Sequence, residues 1–360
     1  SVDALMCEIE YARNEKRIVH ADRANFHVCS NGLDKFEAIS SYLVHMYVDC
    51  RSLSCAKQLF NRSSWNERSW AYLVDGYIRL GMPHHADYIA VSYILELGVH
   101  LNHSASFITF FRGCAKFKCI EQGRMLHMEM VKKNIFEENL AIISALVDMY
   151  SKCGELAIAQ ELLKEVSFRD VSDWNALIEG YAQYGKFQEA FNCLQQMEDE
   201  GLSPNAVTFI CILQACGSMS AIDEGKRIHE MILQRGLSEK HIVLGTALVD
   251  MYAKCGAIVK AEQVFNELPV RNVASWNAVI AGCVQCGQSE DALNHFMQMK
   301  REGFYPDGIT LSSVLKACGS TCCVDMGKQI HDEIIRHGVL DKDVVLGTAL
   351  IDMYAKCGML

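Results

Sequence analysis

Cys283 and Cys286 stand in CVQC, a spacing able to ligate zinc or exchange a disulfide, and are the first residues here whose types suggest chemistry. A structural zinc site needs four ligands, and no second paired cluster follows at a suitable distance. The matching positions 102 residues earlier hold Tyr181 and Tyr184, so both cysteines read as packing positions. His127, His229 and His331 recur in GRMLH, GKRIH and GKQIH, where they read as packed or capping rather than catalytic. His84 and His85 have no partners at ligand spacing. No nucleophile with an identifiable base and no phosphate-cradling glycine loop appears, so no catalytic residue, metal or cofactor is expected.

Polar residues that return in register are more informative than any single motif. LVDMYAKCG at 248–256 has near copies LVDMYSKCG at 146–154 and LIDMYAKCG at 350–358, each 102 residues away. WNALIEGYAQYGKFQEA (174–190) and QACGSMSAIDEGKRIH (214–229) return at the same interval as WNAVIAGCVQCGQSEDA and KACGSTCCVDMGKQIH. Lys152, Lys254 and Lys356 follow Asp148, Asp250 and Asp352 by four positions, the spacing of an intrahelical ion pair worth about 0.2–0.5 kcal/mol. The same ammonium groups are suited to meeting a phosphate backbone.

These groups must be positioned by three alternating units. Restarts of the patterns give lengths of 31 (140–170), 35 (171–205) and 36 residues (206–241), then 31 (242–272), 35 (273–307) and 36 (308–343). Two regular triplets therefore fill 140–343. Weaker short, standard and long patterns fill 37–139, a partial long repeat fills 1–36, and a partial short repeat fills 344–360. The chain is expected to be one continuous stack and a fragment of a longer protein. Leu248, Met251, Tyr252 and Cys255 make one apolar helical stripe that Gly256 ends. Ala261, Val264, Phe265 and Leu268 make the next, and Pro269 stops it. Two such short helices cannot bury both stripes alone and must stack on neighbouring pairs.

Composition agrees with a packed chain and narrows the classes of function. Half the residues are hydrophobic and only four are proline, which excludes a disordered segment. No apolar run is long enough to span a membrane. Seventeen cysteines, most of them inside helical patterns, fit a reducing compartment better than a disulfide scaffold. A net charge of −10 argues against binding nucleic acid through bulk electrostatics, so any such role must rest on local groups.

VSDWNALIEGYAQYGKFQEAFNCLQQMEDEGLSPN (171–205), AVTFICILQACGSMSAIDEGKRIHEMILQRGLSEKH (206–241) and IVLGTALVDMYAKCGAIVKAEQVFNELPVRN (242–272) together resemble the pentatricopeptide repeat family. The likeness is to its plant-type subclass of alternating standard, long and short motifs, known as PLS. The tetratricopeptide repeat, a peptide-binding solenoid of constant 34-residue period, fits less well because the unit lengths vary. The resemblance implies an all-α fold, a right-handed α-solenoid superhelix of stacked helix-turn-helix repeats. It also implies single-stranded RNA binding at one base per readable repeat. By the same resemblance the protein is expected in the mitochondrion or chloroplast, with single-stranded organellar RNA and editing cofactor proteins as partners and no membrane. Site recognition for cytidine-to-uridine editing is the leading expectation. RNA stabilisation or splicing without editing, and a protein-interaction scaffold, are the alternatives. The His-x-Glu and Pro-Cys-x-x-Cys elements of a deaminase-like extension are absent from this sequence.

In the family, the fifth and last residues of a standard or short motif read the base. Ser144 with Asp170, Asn175 with Asn205, Thr246 with Asn272, and Asn277 with Asp307 fill these pairs. The family's code makes them readers of guanine, a pyrimidine with cytosine preferred, adenine and uracil. Ser41 with Asn66 resembles another adenine reader, Ala71 with Asn102 lacks the first polar group, and Thr348 opens a further pair. The expected ligand reads, 5′ to 3′, A, any, any, G, C or U, any, A, U. Ile108 and Ile210 make their long motifs spacers, and Ser312 with Asp343 is unassigned. Val243 and Val345, at second positions, either wedge bases or pack. A Ser, Thr or Asn near a helix start is also a common N-cap, and an Asp or Asn between units a common turn former.

Overall fold

The computed structural model describes residues 2–62, 67–82, 104–132, 140–166, 169–237, 242–336 and 343–359, and among them all regular structure is helical. Asn66, Asn102, His84 and His85 lie outside the described residues. Contacts divide the chain into two compact units, Ser1–Gly180 and Tyr181–Leu360. The first contains α1 (Val2–Glu15), α2 (Ile18–Ser30), α3 (Glu37–Asp49), α4 (Leu53–Arg62), α5 (Glu67–Arg79), α6 (Ser104–Phe117), α7 (Ile120–Lys132), α8 (Leu140–Cys153), α9 (Leu156–Glu165) and most of α10 (Val171–Gln183). The second contains α11 (Phe187–Asp199), α12 (Ala206–Met219), α13 (Ile222–Gln234), α14 (Ile242–Lys254), α15 (Ile258–Glu267), α16 (Val273–Gln285), α17 (Ser289–Arg301), α18 (Gly308–Thr321), α19 (Val324–Arg336) and α20 (Val344–Lys356).

Helix lengths explain the alternating unit lengths. The second helix has 10 residues in α4, α9 and α15, the short units, but 13 in α11, α13, α17 and α19. Most of the four residues missing from a 31-residue unit are thus one turn of its second helix. The segment 1–36 carries two helices of 14 and 13 residues, the lengths seen in α12 and α13.

First helices pack on first helices. In the second unit α12 lies against α14, α14 against α16, and α18 against both α16 and α20, while α13, α15, α17 and α19 cover their own first helices. In the first unit α1, α3, α5, α6 and α8 follow one another in the same way. The core runs between these layers. Leu248, Met251 and Tyr252 are buried as their spacing predicts, and Gly256, at φ +75°, closes α14 while Ala257 N–H donates to Tyr252 O.

The two most faithful sequence repeats turn out to be halves of one contact. A methyl group added at Gly225 would lie 2.5 Å from Met251 Sδ, so the glycine is a notch filled by that methionine. One turn along, His229 Nδ1 meets Tyr252 Oη at 3.0 Å. Gly123 with Met149 and His127 with Tyr150 repeat the arrangement, as do Gly327 with Met353 and His331 with Tyr354. The histidines are therefore packed against tyrosines, and burial pushes the pKa of His127 and His229 down.

Candidate nucleic-acid interface

Among the described residues, the last residues of the expected pairs, Asp170, Asn205, Asn272 and Asp307, cap the next unit's first helix. Asn205 Oδ1 accepts from the N–H groups of Val207 (3.0 Å) and Thr208 (3.1 Å), and Thr208 Oγ1 accepts from Asn205 N–H. Asn272 with Ser275 and Asp307 with Thr310 form the same reciprocal box. Asp170 with Asp173 makes it from two carboxylates. Each box satisfies two orphan N–H groups, one at the cap and one in the first turn. Asp and Asn between units are thus caps rather than simple turn formers.

The fifth residues are not caps. Thr246 donates to Ile242 O at 3.0 Å, Thr348 to Val344 O at 2.9 Å and Ser144 to Leu140 O at 3.1 Å, all bonds to the carbonyl one turn back. With its single proton used inside the helix, the Thr246 or Thr348 hydroxyl offers lone pairs to an incoming donor, whereas the Ser144 proton is shared between the helix carbonyl and the Asp173 carboxylate. Ser41 is held more deeply; it donates to Glu37 O at 2.8 Å and accepts from Ser69 Oγ at 3.1 Å.

Asn277 and Asp307 meet directly. The Asn277 amide nitrogen lies 3.0 Å from both Asp307 carboxylate oxygens, which fixes the amide orientation because a carboxylate only accepts. Asn277 Oδ1 then faces the Thr310 hydroxyl at 2.5 Å, and that hydroxyl is also 2.9 Å from Asp307 Oδ1. Burial alone would raise the Asp307 pKa, but hydrogen bonds from Thr310 N–H, the Thr310 hydroxyl, the Asn277 amide and Ile309 N–H outweigh it and hold the carboxyl below its usual range.

A third residue therefore stands behind each of three expected pairs, and sequence reasoning missed it. It is the third residue of the following unit: Ser69 against Ser41, Thr310 against Asn277, and Asp173 against Ser144. The available signal was the box itself, a cap residue followed three positions later by a hydroxyl in NAVT, NVAS and DGIT. Asp173 departs from that pattern. Burial, the larger effect, and the charge of Asp170 raise its pKa against the hydrogen bonds from Ser144 and Asp170 N–H, and its Oδ1 is buried without a partner among the described residues.

Around this row lie apolar and cationic groups. Val243 and Val345 are 64% and 65% exposed, so they are not packed, and Val207 and Ile309 stand exposed at the same second position of long units. Ile108 and Ile210 are half-buried, while Ser312 is buried and Asp343 caps α20. Asn175 is nearly buried at the register of Asn277. Lys152, Lys254 and Lys356 pair with Asp148, Asp250 and Asp352 at 2.8, 2.7 and 2.7 Å. The stems of Lys254 and Lys356 cross Gly217 and Gly319 of the preceding first helix, which places each lysine beside two first helices.

The cysteines of CVQC do not converge on one site. Cys283 is buried and Cys286 exposed, and all seventeen cysteines are thiols. Instead Cys283 lies near Glu262 and His295, residues that no local spacing connects to it.

Residues 169–218 and 271–320 match the PPR repeat family, and 105–135 and 246–273 match the PPR repeat. A chloroplastic pentatricopeptide repeat-containing protein of Arabidopsis thaliana, At1g71460, is 32% identical over 98% of this chain and 51% of its own length. A mitochondrial one from the same plant, At1g06140, is 30% identical over 95% of this chain and 62% of its own. The chain thus spans between half and two thirds of the length of these curated relatives. Among solved structures, the maize pentatricopeptide repeat protein PPR10 superposes with a TM-score of 0.58 at 17% identity, covering 99% of this chain and 57% of that one. PPR10 in complex with an 18-nt psaJ RNA element gives 0.65 at 16% identity, over 86% and 47%. These likenesses show the α-solenoid fold.

Proposed function

Because the chain belongs to the pentatricopeptide repeat family, we propose that it binds single-stranded RNA in sequence-specific fashion, one base to each readable short or standard repeat. The observation that carries this reading is the Asn277–Asp307–Thr310 constellation, in which a fifth and a last residue are locked together by hydrogen bonds and presented as one recognition unit. One amide proton of Asn277 faces the carboxylate, leaving the other proton for a base edge. Such preorganisation lowers the ordering cost of binding.

Exposed Val207, Val243, Ile309 and Val345 supply apolar surface on which unstacked bases pack, and the lysines meet phosphates by exchanging Asp for RNA. In this reading Ser41, Ser144, Asp170, Asn175, Asn205, Thr246, Asn272, Asn277, Asp307 and Thr348 contact or frame bases; Asn66 and Asn102 complete the upstream pairs. The ten-residue second helices recurring every third unit support the PLS assignment. Organellar placement follows relatives whose names give chloroplast or mitochondrion. Within this class we assign the chain to the addressing of a cytidine-to-uridine editing site, with chemistry and protein partners supplied from elsewhere.

Titration of the purified chain with the 5′-A-N-N-G-C-N-A-U-3′ strand and a scrambled strand of equal composition tests the proposal. Binding tighter by tenfold or more to the first is expected. Equal or absent binding to both favours a protein-interaction scaffold and defeats the RNA reading.

A further inference from the structure

Glu262 of α15, Cys283 of α16 and His295 of α17 bring a carboxylate oxygen, a thiol sulfur and an imidazole nitrogen within 4.8 Å of one another. We propose that these three residues form a binding site for one divalent, thiophilic metal ion of the zinc class, joining the repeat 242–272 to the repeat 273–307.

Three independent features favour a cation there. His295 Nε2 and Glu262 Oε1 already face each other at 2.9 Å, and tetrahedral coordination by both requires about 3.3 Å, so an ion enters with little movement of this pair. Side-chain rotation of Glu262 and His295 supplies the closure of about 1 Å toward the sulfur, since both are partly exposed while Cys283 is fixed in the core. A thiolate and a carboxylate against a divalent ion and neutral imidazole sum to zero charge, which suits a half-buried position. On binding, the Cys283 thiol loses its proton to solvent as the sulfur–metal bond forms, and the fourth coordination position falls to water.

The repeat itself supplies a comparison. One triplet earlier the same positions hold Gln160, Tyr181 and Cys193, so two of three ligand types are absent there. Gln160 has become Glu262, Tyr181 has become Cys283 and Cys193 has become His295. The set is particular to this place in the chain. It is separate from base reading, because Asn277 precedes Cys283 by six residues, about 9 Å along α16.

Titration with Co2+ followed by absorption, and with Zn2+ followed by thermal unfolding, tests the site in the whole chain. Wild type should bind one Co2+ with thiolate-to-metal charge-transfer absorption in the near ultraviolet, and stoichiometric Zn2+ should raise Tm. Cys283→Ala should lose both effects, and Glu262→Gln, an isosteric change at a partly exposed position that leaves the core intact, should weaken the affinity about tenfold or more. Wild type without saturable binding would overturn the proposal. So would unchanged spectra and stoichiometry in Cys283→Ala, or unchanged affinity in Glu262→Gln.

Discussion

Asp307 and Asp173 both sit in capping boxes, yet their carboxyls titrate in opposite directions. Burial at Asp307 is outweighed by four donated hydrogen bonds, so its pKa falls below 3.8; its stabilising contribution is complete above that value and is lost as pH drops through the depressed one. Asp307→Asn should therefore lower stability at pH 7, with the gap to wild type closing in denaturant melts taken progressively below pH 3.8. Asp173 has the reverse sign. Its raised pKa means that the folded state pays a penalty once the carboxyl ionises, a penalty absent below 3.8. Asp173→Thr, the residue type found at 208 and 310, should raise Tm at pH 7 and give no gain in acid. Thr310→Val should cost about 1–2 kcal/mol and, by freeing the Asn277 amide, weaken base discrimination at that repeat. Asn277 and Asp307 were legible as a pair from type and register alone. The box hydroxyl of Thr310 was visible in DGIT, but its partnership with Asn277 was not, because that bond closes across 33 residues.

Between helices, the recurrent words of the sequence mark contacts. The methionine and tyrosine of LVDMYAKCG and the glycine and histidine of EGKRIH recur together because Met251 fills the notch at Gly225 while Tyr252 bonds His229. Periodicity assigned Leu248, Met251 and Tyr252 to the core, but nothing local told which partner each would meet. Glycines separate by what surrounds them. An added methyl at Gly180 meets Ser151 O at 3.0 Å and Leu156 Cδ2 at 2.8 Å, and a backbone atom cannot yield. At Gly225 it meets the flexible end of Met251. Gly180→Ala should cost about 1–3 kcal/mol in urea unfolding and Gly225→Ala clearly less. Lost capping at Asn272→Ala should cost about 1 kcal/mol. Burial of His229 lowers its pKa, so its neutral form is favoured in the fold and stability declines as pH drops below 6.5.

Across the chain as a whole, a net charge of −10 and lysines already paired with aspartates leave little surplus positive potential. RNA affinity should accordingly depend weakly on salt, and Lys254→Ala should reduce the slope of log K against log[salt] by less than the ~0.7 of a full phosphate contact. On the proposed reading, specificity then resides in the paired polar residues. The alternation of unit lengths was readable from the sequence, whereas its cause, a second helix one turn shorter, required the structure. Base preference at a single repeat is the most direct test. With Asn277→Thr and Asp307→Asn combined, competition binding among strands differing only at the base facing that repeat should move the preference from U to A. Retention of U would contradict the account of how this chain reads RNA.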